Sequence, residues 1–239
     1  WGYLDISQLK FPKWFFDMPH TIRSSPSDAV AASRARPRMN AAQRRILQAA
    51  LRLFAEKDAG VVSISELASA AGVARGTIYN NLDSIESLFA QVASRLCAEM
   101  NERIARASSH EPDPAIRLAT GLRHYLRRAY DDSDWARFIL RYAPTSASLS
   151  ELWNGPPMQD LQAGVAQARF TLRPPQVPIA LASLAGAVLG GIMLVLERHA
   201  SWEQIGSDIA ELTLRGLGVP AAEARRIAHA KLASLPPAA

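Results

Sequence analysis

From Asn40 onward, apolar residues recur every three or four positions, and the gaps between runs are filled by capping residues, glycine or proline. Asn40 and Gln43 have the spacing of a capping box. Ile46, Ala49, Ala50, Leu53 and Phe54 then fall on one helical face, and Gly60 marks the expected end. Ser63 and Glu66 repeat the box ahead of a short helix carrying Leu67, Ala68 and Ala71. Gly72 breaks that helix, because glycine takes the left-handed turn conformation without steric cost. A third short helix is predicted through ARGTIYNN, with Val73, Ile78 and Leu82 facing inward. Asp83 and Glu86 give a further box, followed by a long stripe of Ile85, Leu88, Phe89, Val92, Leu96, Met100 and Ile104.

Beyond Ser108 the punctuation is mostly proline. Asp113-Pro114 reads as an N-cap with proline at the first helical position, opening a helix to about Tyr130. The acidic run at 131–134 caps the next helix. A loop over Trp153-Asn154-Gly155-Pro156 precedes a helix from Pro157 to about Arg169. Pro174-Pro175 precedes a long apolar helix to His199, Ser201 with Glu203 or Gln204 opens another to Gly216, and Pro220 starts the last. No strand alternation and no internal repeat is visible. The expected class is all-α, with about ten helices.

Composition narrows the chemistry. Of 239 residues, 49% are hydrophobic, enough for a sizeable core. The single cysteine, Cys97, excludes a disulfide framework and a thiolate zinc cluster, and fits a reducing cytosol. Nearly all of the net charge of +5 sits in residues 29–107, which hold eleven bases and seven acids. Between Asp28 and Glu56 there is no acid, only Arg34, Arg36, Arg38, Arg44, Arg45 and Arg52. Such an excess suits a polyanion, or is a solvated arginine-rich face. Residues 19–38 are polar and proline-rich and read as a linker or arm whose arginines suit a minor groove. The aromatic stretch 1–18 lacks a secretory pattern and is left without an assignment.

Two short helices joined at Ala71-Gly72-Val73 and braced by longer ones form a helix-turn-helix. The second must enter a major groove, so its outer face needs small or hydrogen-bonding residues. Ala74, Arg75, Gly76, Thr77, Tyr79, Asn80 and Asn81 offer that face. Arg75 suits a guanine edge, Asn80 or Asn81 an adenine edge, and Thr77 and Tyr79 phosphate oxygens. Ser63, at a helix start with free N–H groups, and Arg45 suit phosphate as well.

The run RRILQAALRLFAEK…SISELASAAGVARGTIYNNLDSIESLF resembles the DNA-binding domain of the TetR family, the tetracycline-repressor-like regulators. The likeness covers about residues 40–100. It departs at Asn81-Leu82, where the family commonly has His-Phe, and at Ile85, where it commonly has a phosphate-touching lysine. The resemblance implies an extension at 1–38, a DNA-binding domain at 39–107 with its motif at 63–82, and an effector-binding and dimerisation domain at 108–239. It implies a cytoplasmic homodimer that binds a palindromic DNA operator, represses, and is released by a small-molecule effector. No cofactor, metal or catalytic residue is expected.

Residues 177–196 carry no charge and are long enough for a membrane span, yet their abundance of alanine, glycine and serine weakens insertion. The resemblance instead implies a helix packed partly on its own domain and partly on a partner copy, in a four-helix bundle with 202–216. Ala185, Gly186, Leu189, Gly190 and Met193 would form that contact. The middle helices should enclose the effector, with Leu122, Tyr125, Leu126, Trp135, Phe138, Ile139, Tyr142, Trp153, Met158, Leu161 and Met193 as candidate contacts. Such a lining suits a mostly apolar ligand.

The competing readings are a small helical enzyme and a membrane-anchored interaction protein. His20, His110, His124, His199 and His229 are scattered without a metal-binding pair, and no nucleophile elbow, phosphate loop or dinucleotide motif is present. His124 and Tyr125 are expected at the surface or in the pocket, and Cys97 in inert core.

Overall fold

The computed structural model describes residues 40–236; the expected extension and arginine-bearing arm at 1–38 lie outside them. Among the described residues there are eleven α-helices and no strand.

The first helix, α1 (Ala41–Glu56), starts with the predicted reciprocal box: Gln43 N–H donates to Asn40 Oδ1 at 2.8 Å, and Asn40 N–H to Gln43 Oε1 at 3.0 Å. It ends at Glu56 rather than Gly60, because Lys57 is extended and the chain makes a 3₁₀ turn over Ala59–Val61. In α2 (Ile64–Ala71), Ser63 caps as predicted, accepting from Glu66 N–H at 3.2 Å. The box is not reciprocal, however. The Glu66 carboxylate instead pairs with the Lys57 ammonium, which holds its pKa below the ordinary glutamate value and ties the α1 exit to α2. Gly72 is left-handed (φ 62°), and two hydrogen bonds close the turn, Val73 N–H to Ala68 O at 3.0 Å and Gly72 N–H to Ser69 O at 3.1 Å. α3 (Arg75–Tyr79) follows at once. α4 (Ile85–Ala107) is capped by Ser84 with Ser87, one residue later than the Asp83/Glu86 pattern predicted. Ile46, Ala49, Phe54, Leu67, Ile78, Leu88 and Val92 form the core of this head.

The remainder is built around α5 (Pro114–Asp131), whose Asp113 cap and first-turn proline are as predicted. Asp132 ends α5 and caps α6 (Ser133–Tyr142), accepting from Trp135 N–H at 3.0 Å. The loop expected around Trp153 is partly helical, as α7 (Glu151–Asn154), and leads into α8 (Pro156–Ala166). α9 (Val177–Leu196), α10 (Trp202–Gly216) and α11 (Ala221–Ala228) complete the chain. Both α8 and α9 stop three residues before their predicted ends. Ala168 (φ 52°) and Arg198 (φ 55°) take the left-handed turn conformation there without being glycine.

α5 is buried at every position from Gly121 to Leu126, between α10, α9, α8 and α6. His124, expected at the surface or in the pocket, is wholly buried instead. Neither ring nitrogen has a hydrogen-bond partner, and burial, reinforced by the charges of Arg127, Arg123 and Arg103, lowers its pKa to about 4.

Candidate nucleic-acid interface and ligand cavity

Two separate places gather the predicted residues. The first is the outer face of α3. Ala74, Arg75, Gly76, Tyr79 and Asn80 are exposed there, while Ile78 is fully buried and fixes the helix roll. Tyr79, a large ring, is 66% exposed. Thr77 and Asn81 are half-buried, and Asn81 Nδ2 donates to Thr77 O at 2.7 Å. Part of the Asn81 amide is therefore spent on finishing the helix. Ser63 is exposed at the α2 N-terminus; its oxygen accepts the capping bond, so its hydroxyl hydrogen stays free to donate outward. Arg44, Arg45 and Arg75 are exposed and have no ion-pair partner among the described residues. Uncompensated cations beside small and amide side chains form a surface suited to a phosphate backbone and base edges.

The second place is a cavity in the larger domain. It is lined by Ile104 of α4, Arg117, Leu118, Gly121, Leu122 and Tyr125 of α5, Trp153 of α7, Pro156, Pro157 and Asp160 of α8, and Leu184 and Val188 of α9. It is a narrow cleft of about 20 Å³, with room for about one water molecule. The Tyr125 and Trp153 rings stack at 5.9 Å with planes 23° apart, and Tyr125 Oη donates to Leu152 O at 3.2 Å. The charged members are paired, with Arg117 Nε 2.6 Å from Asp160 Oδ1.

Of the predicted effector contacts, Leu122, Tyr125 and Trp153 line this cavity. Leu126, Trp135, Phe138, Ile139 and Leu161 are fully buried in the surrounding core, and Met158 is half-buried. Met193 is 49% exposed on the outside of α9. Tyr142 sits at the junction with the head. Its hydroxyl accepts from Ala59 N–H at 3.0 Å and donates to Lys57 O at 3.1 Å. Arg141 beside it reaches Asp58 at 3.3 Å and Glu56 O at 3.1 Å. Phe89 of α4 stands between Phe54 of α1 and Phe138 and Tyr142 of α6, with centroids 4.8–5.7 Å apart. Sequence reasoning missed Arg117 and Asp160. They lie 43 residues apart, so no local spacing brings them together.

The α9 helix carries two stripes. Val177, Leu181, Leu184, Val188, Ile192 and Val195 are buried against the domain. Ile179, Ser183, Gly186 and Met193 are exposed on the other side, with Ala185, Leu189 and Gly190 half-covered. A Cβ added at Gly186 or Gly190 would meet nothing within 4 Å. By length and composition alone, Pro174–Leu196 is apolar enough to cross a membrane.

A family model described as bacterial regulatory proteins, tetR family, matches residues 46–92, and a second, the tetracyclin repressor-like C-terminal domain, matches residues 113–230. The chain belongs to the TetR family. It carries the family's helix-turn-helix domain and its C-terminal domain, and its described residues fold without strands, as the pattern of apolar positions predicted.

An HTH-type transcriptional regulator of Mycobacterium tuberculosis is 32% identical over 100 residues, 42% of this chain. This TetR-family chain spans about half the length of that curated relative. Among solved structures, ligand-free RolR superposes with a TM-score of 0.63 at 27% identity, covering 81% of this chain and all of RolR. RolR bound to resorcinol gives 0.61 at 26% identity, over 82% of this chain and 96% of RolR. FadR of Bacillus subtilis, solved with stearoyl-CoA, shares the fold at 19% identity and a TM-score of 0.61, over 73% of this chain and 98% of FadR.

Proposed function

We propose that this TetR-family chain is a cytosolic, dimeric repressor that grips a palindromic operator through α3 and lets go when a small, mostly apolar effector enters the cavity. One observation carries the reading. Ile104, at the far end of α4, forms a wall of the cavity, while Leu88 and Val92 of the same helix are part of the DNA-binding core. A ring-sized ligand needs the narrow walls to part, and parting them displaces α4. The head moves with it, because α6 also holds the α1–α2 loop through Tyr142 and Arg141. In a dimer this changes the separation of the two recognition helices. The ligand then favours the conformer that no longer matches the operator. RolR, of similar fold and solved with resorcinol, supports a small ligand of this kind.

In this reading residues 39–107 read DNA, and residues 108–239 bind effector and dimerise. The second copy covers the outer stripe of α9, where Ala185, Gly186, Leu189, Gly190 and Met193 let the helices approach closely. Leu212 of α10, 64% exposed, lies on the same bundle. A two-fold dimer then sets its two half-sites about one DNA turn apart. Arg45, Ser63, Thr77 and Tyr79 take phosphates, and Arg75, Asn80 and the free edge of Asn81 read bases, with Ala74 and Gly76 giving close approach.

The test is selection of bound duplex from a random pool at about 150 mM salt, since affinity depends steeply on salt. The expected product is a palindrome whose binding is lost in a Thr77→Ala, Tyr79→Ala double variant. Failure to enrich any sequence at any salt would overturn the reading.

A further inference from the structure

After α11 the chain runs through residues 231–236 without regular structure, held at both ends by arginines of other helices. Arg123 of α5 donates from Nη1 to Ala230 O at 2.7 Å, and Arg103 of α4 donates from Nε to Pro236 O at 2.9 Å. Leu235, beside Pro236, packs against the core. Lys231, Ala233 and Ser234 are exposed. A cleft of about 310 Å³ is lined by Ser234 and Leu235 together with Arg103, Arg128 and Asp132, among others. The segment is thus fastened at a few points and not packed along its length. A stretch with few buried apolar contacts is the kind that opens locally.

The anchor on α4 begins a continuous chain of charged contacts. Arg103 Nη1 also reaches Glu99, one turn back, at 3.2 Å. Glu99 takes Arg128 Nη1 of α5 at 3.2 Å, and Arg128 Nη2 reaches Asp132 at 3.1 Å. Asp132 caps α6, the helix that holds the head through Tyr142 and Arg141. Ile104, the residue after Arg103, is the α4 wall of the narrow cleft described above. Pro236 is therefore fastened to the stretch of α4 that faces that cleft and connects, through Glu99 and Arg128, to the cap of α6.

We infer that residues 231–236 are a strap that holds the far end of α4 toward α5 and sets how readily α4 moves. With the strap fastened, the Arg103 guanidinium is fixed between two acceptors, and Glu99 stays aligned with Arg128. With it detached, Arg103 is left with Glu99 of its own helix. The polar link between α4 and α5 at this end then rests on the partly exposed Glu99–Arg128 pair, and such pairs hold weakly. The strap in this way favours the conformer with the cleft closed. Its consequence for operator binding rests on the reading of α4 as the lever between cleft and head; the fastening itself does not.

The test is hydrogen exchange, read by mass spectrometry, on the full chain and on a chain ending at Ala230. The shortened chain keeps the Ala230 oxygen for the buried Arg123 and removes the rest of the strap. Amides 100–107 of α4 should exchange about tenfold faster or more, the factor expected for a lost hydrogen bond to a charged group. Amides 184–192 of α9 should be unchanged. Arg103→Gln in the full chain should give the same pattern. Combined with the shortening, it should give less than the product of the two separate factors, because both changes remove one contact. Leu235→Ser loosens the strap without shortening the chain; it should show the same pattern at smaller size, and it carries the test if the shortened chain does not fold. Unchanged exchange at 100–107, equal acceleration in every helix, or independent multiplication of the two factors would overturn the inference. If α4 loosens as expected while a selected operator is bound as tightly as by the full chain, the strap stands and the lever reading fails. If operator binding weakens as well, both stand.

Discussion

His124 makes the interior of the larger domain sensitive to acid. Its side chain is wholly buried, without a partner for either nitrogen, under the positive field of Arg127, Arg123 and Arg103. The folded pKa of about 4 lies below the ordinary histidine value of 6.5. Between those values the unfolded chain binds a proton that the folded chain refuses. Stability is therefore intact above pH 6.5 and falls as the pH drops toward 4. At about 1.4 kcal/mol per pH unit, the loss reaches roughly 3 kcal/mol below pH 4, with about 2 kcal/mol already gone at pH 5. His124→Leu removes the titrating group and the two orphaned nitrogens while keeping the volume similar. At pH 7.5 the variant should be no less stable than the parent, because replacing unpaired polar atoms by hydrocarbon is neutral or favourable. Between pH 7.5 and pH 5 it should lose about 2 kcal/mol less stability than the parent does. Urea unfolding followed by tryptophan fluorescence, at one fixed protein concentration, measures both. Parallel pH dependence in the two proteins would refute the reasoning, since the carboxylates that drive general acid unfolding are common to both.

Three further outcomes follow from local geometry. Gly164→Ala places a methyl 2.0 Å from the buried Phe170 ring and should cost about 1–3 kcal/mol by thermal melting, recovered in part by a second Phe170→Leu change. Gly72→Ala meets no atom but must hold φ at 62°, so it should cost about 1–2 kcal/mol, and Gly72→Asn less. Tyr142→Phe leaves Ala59 N–H without its acceptor and should speed hydrogen exchange at that amide by about tenfold, as expected for a lost bond of about 1.4 kcal/mol; an unchanged rate would mean the junction does not depend on it.

Most of the fold was legible because its signals are local. Asn40 with Gln43, Asp113 with Pro114, and Gly72 each state a helix boundary within four residues of sequence. The errors have equally local causes. Ala168 and Arg198 end helices in a conformation usually reserved for glycine, so the pattern ran three residues past both ends. Ser84 caps α4 through reciprocal bonds with Ser87, and Asp83 with Glu86 has the same spacing, so spacing alone did not distinguish the two. The roll of α3 was readable from one helix turn, since Ile78 alone decides which side is buried. The cavity was not. Leu122, Tyr125 and Trp153 could be guessed as aromatic or apolar candidates. Trp135, Phe138 and Ile139 have the same composition but fill solid core, and only packing distinguishes a lining residue from a filling one. The Arg117–Asp160 pair joins α5 to α8 and has no sequence signature. The burial of His124 was hidden in the same way: it depends on the elements that close over α5 from several sides.

The clasp at the α6 end has a consequence for how such a protein diversifies. Tyr142 touches the carbonyl of Lys57 and the amide of Ala59, and Arg141 touches the carbonyl of Glu56. Three of the four polar contacts across the junction are with main chain. Main-chain groups are the same whatever side chains they carry, so these three contacts depend on the length and path of the α1–α2 loop, while the Arg141–Asp58 and Lys57–Glu66 pairs depend on its side chains. A head with a new α3 that keeps the path of residues 56–59 keeps the same contacts to α6. Inserting a single residue between Glu56 and Ala59 would disturb all three main-chain contacts at once, whereas changing Asp58 would remove only the fourth.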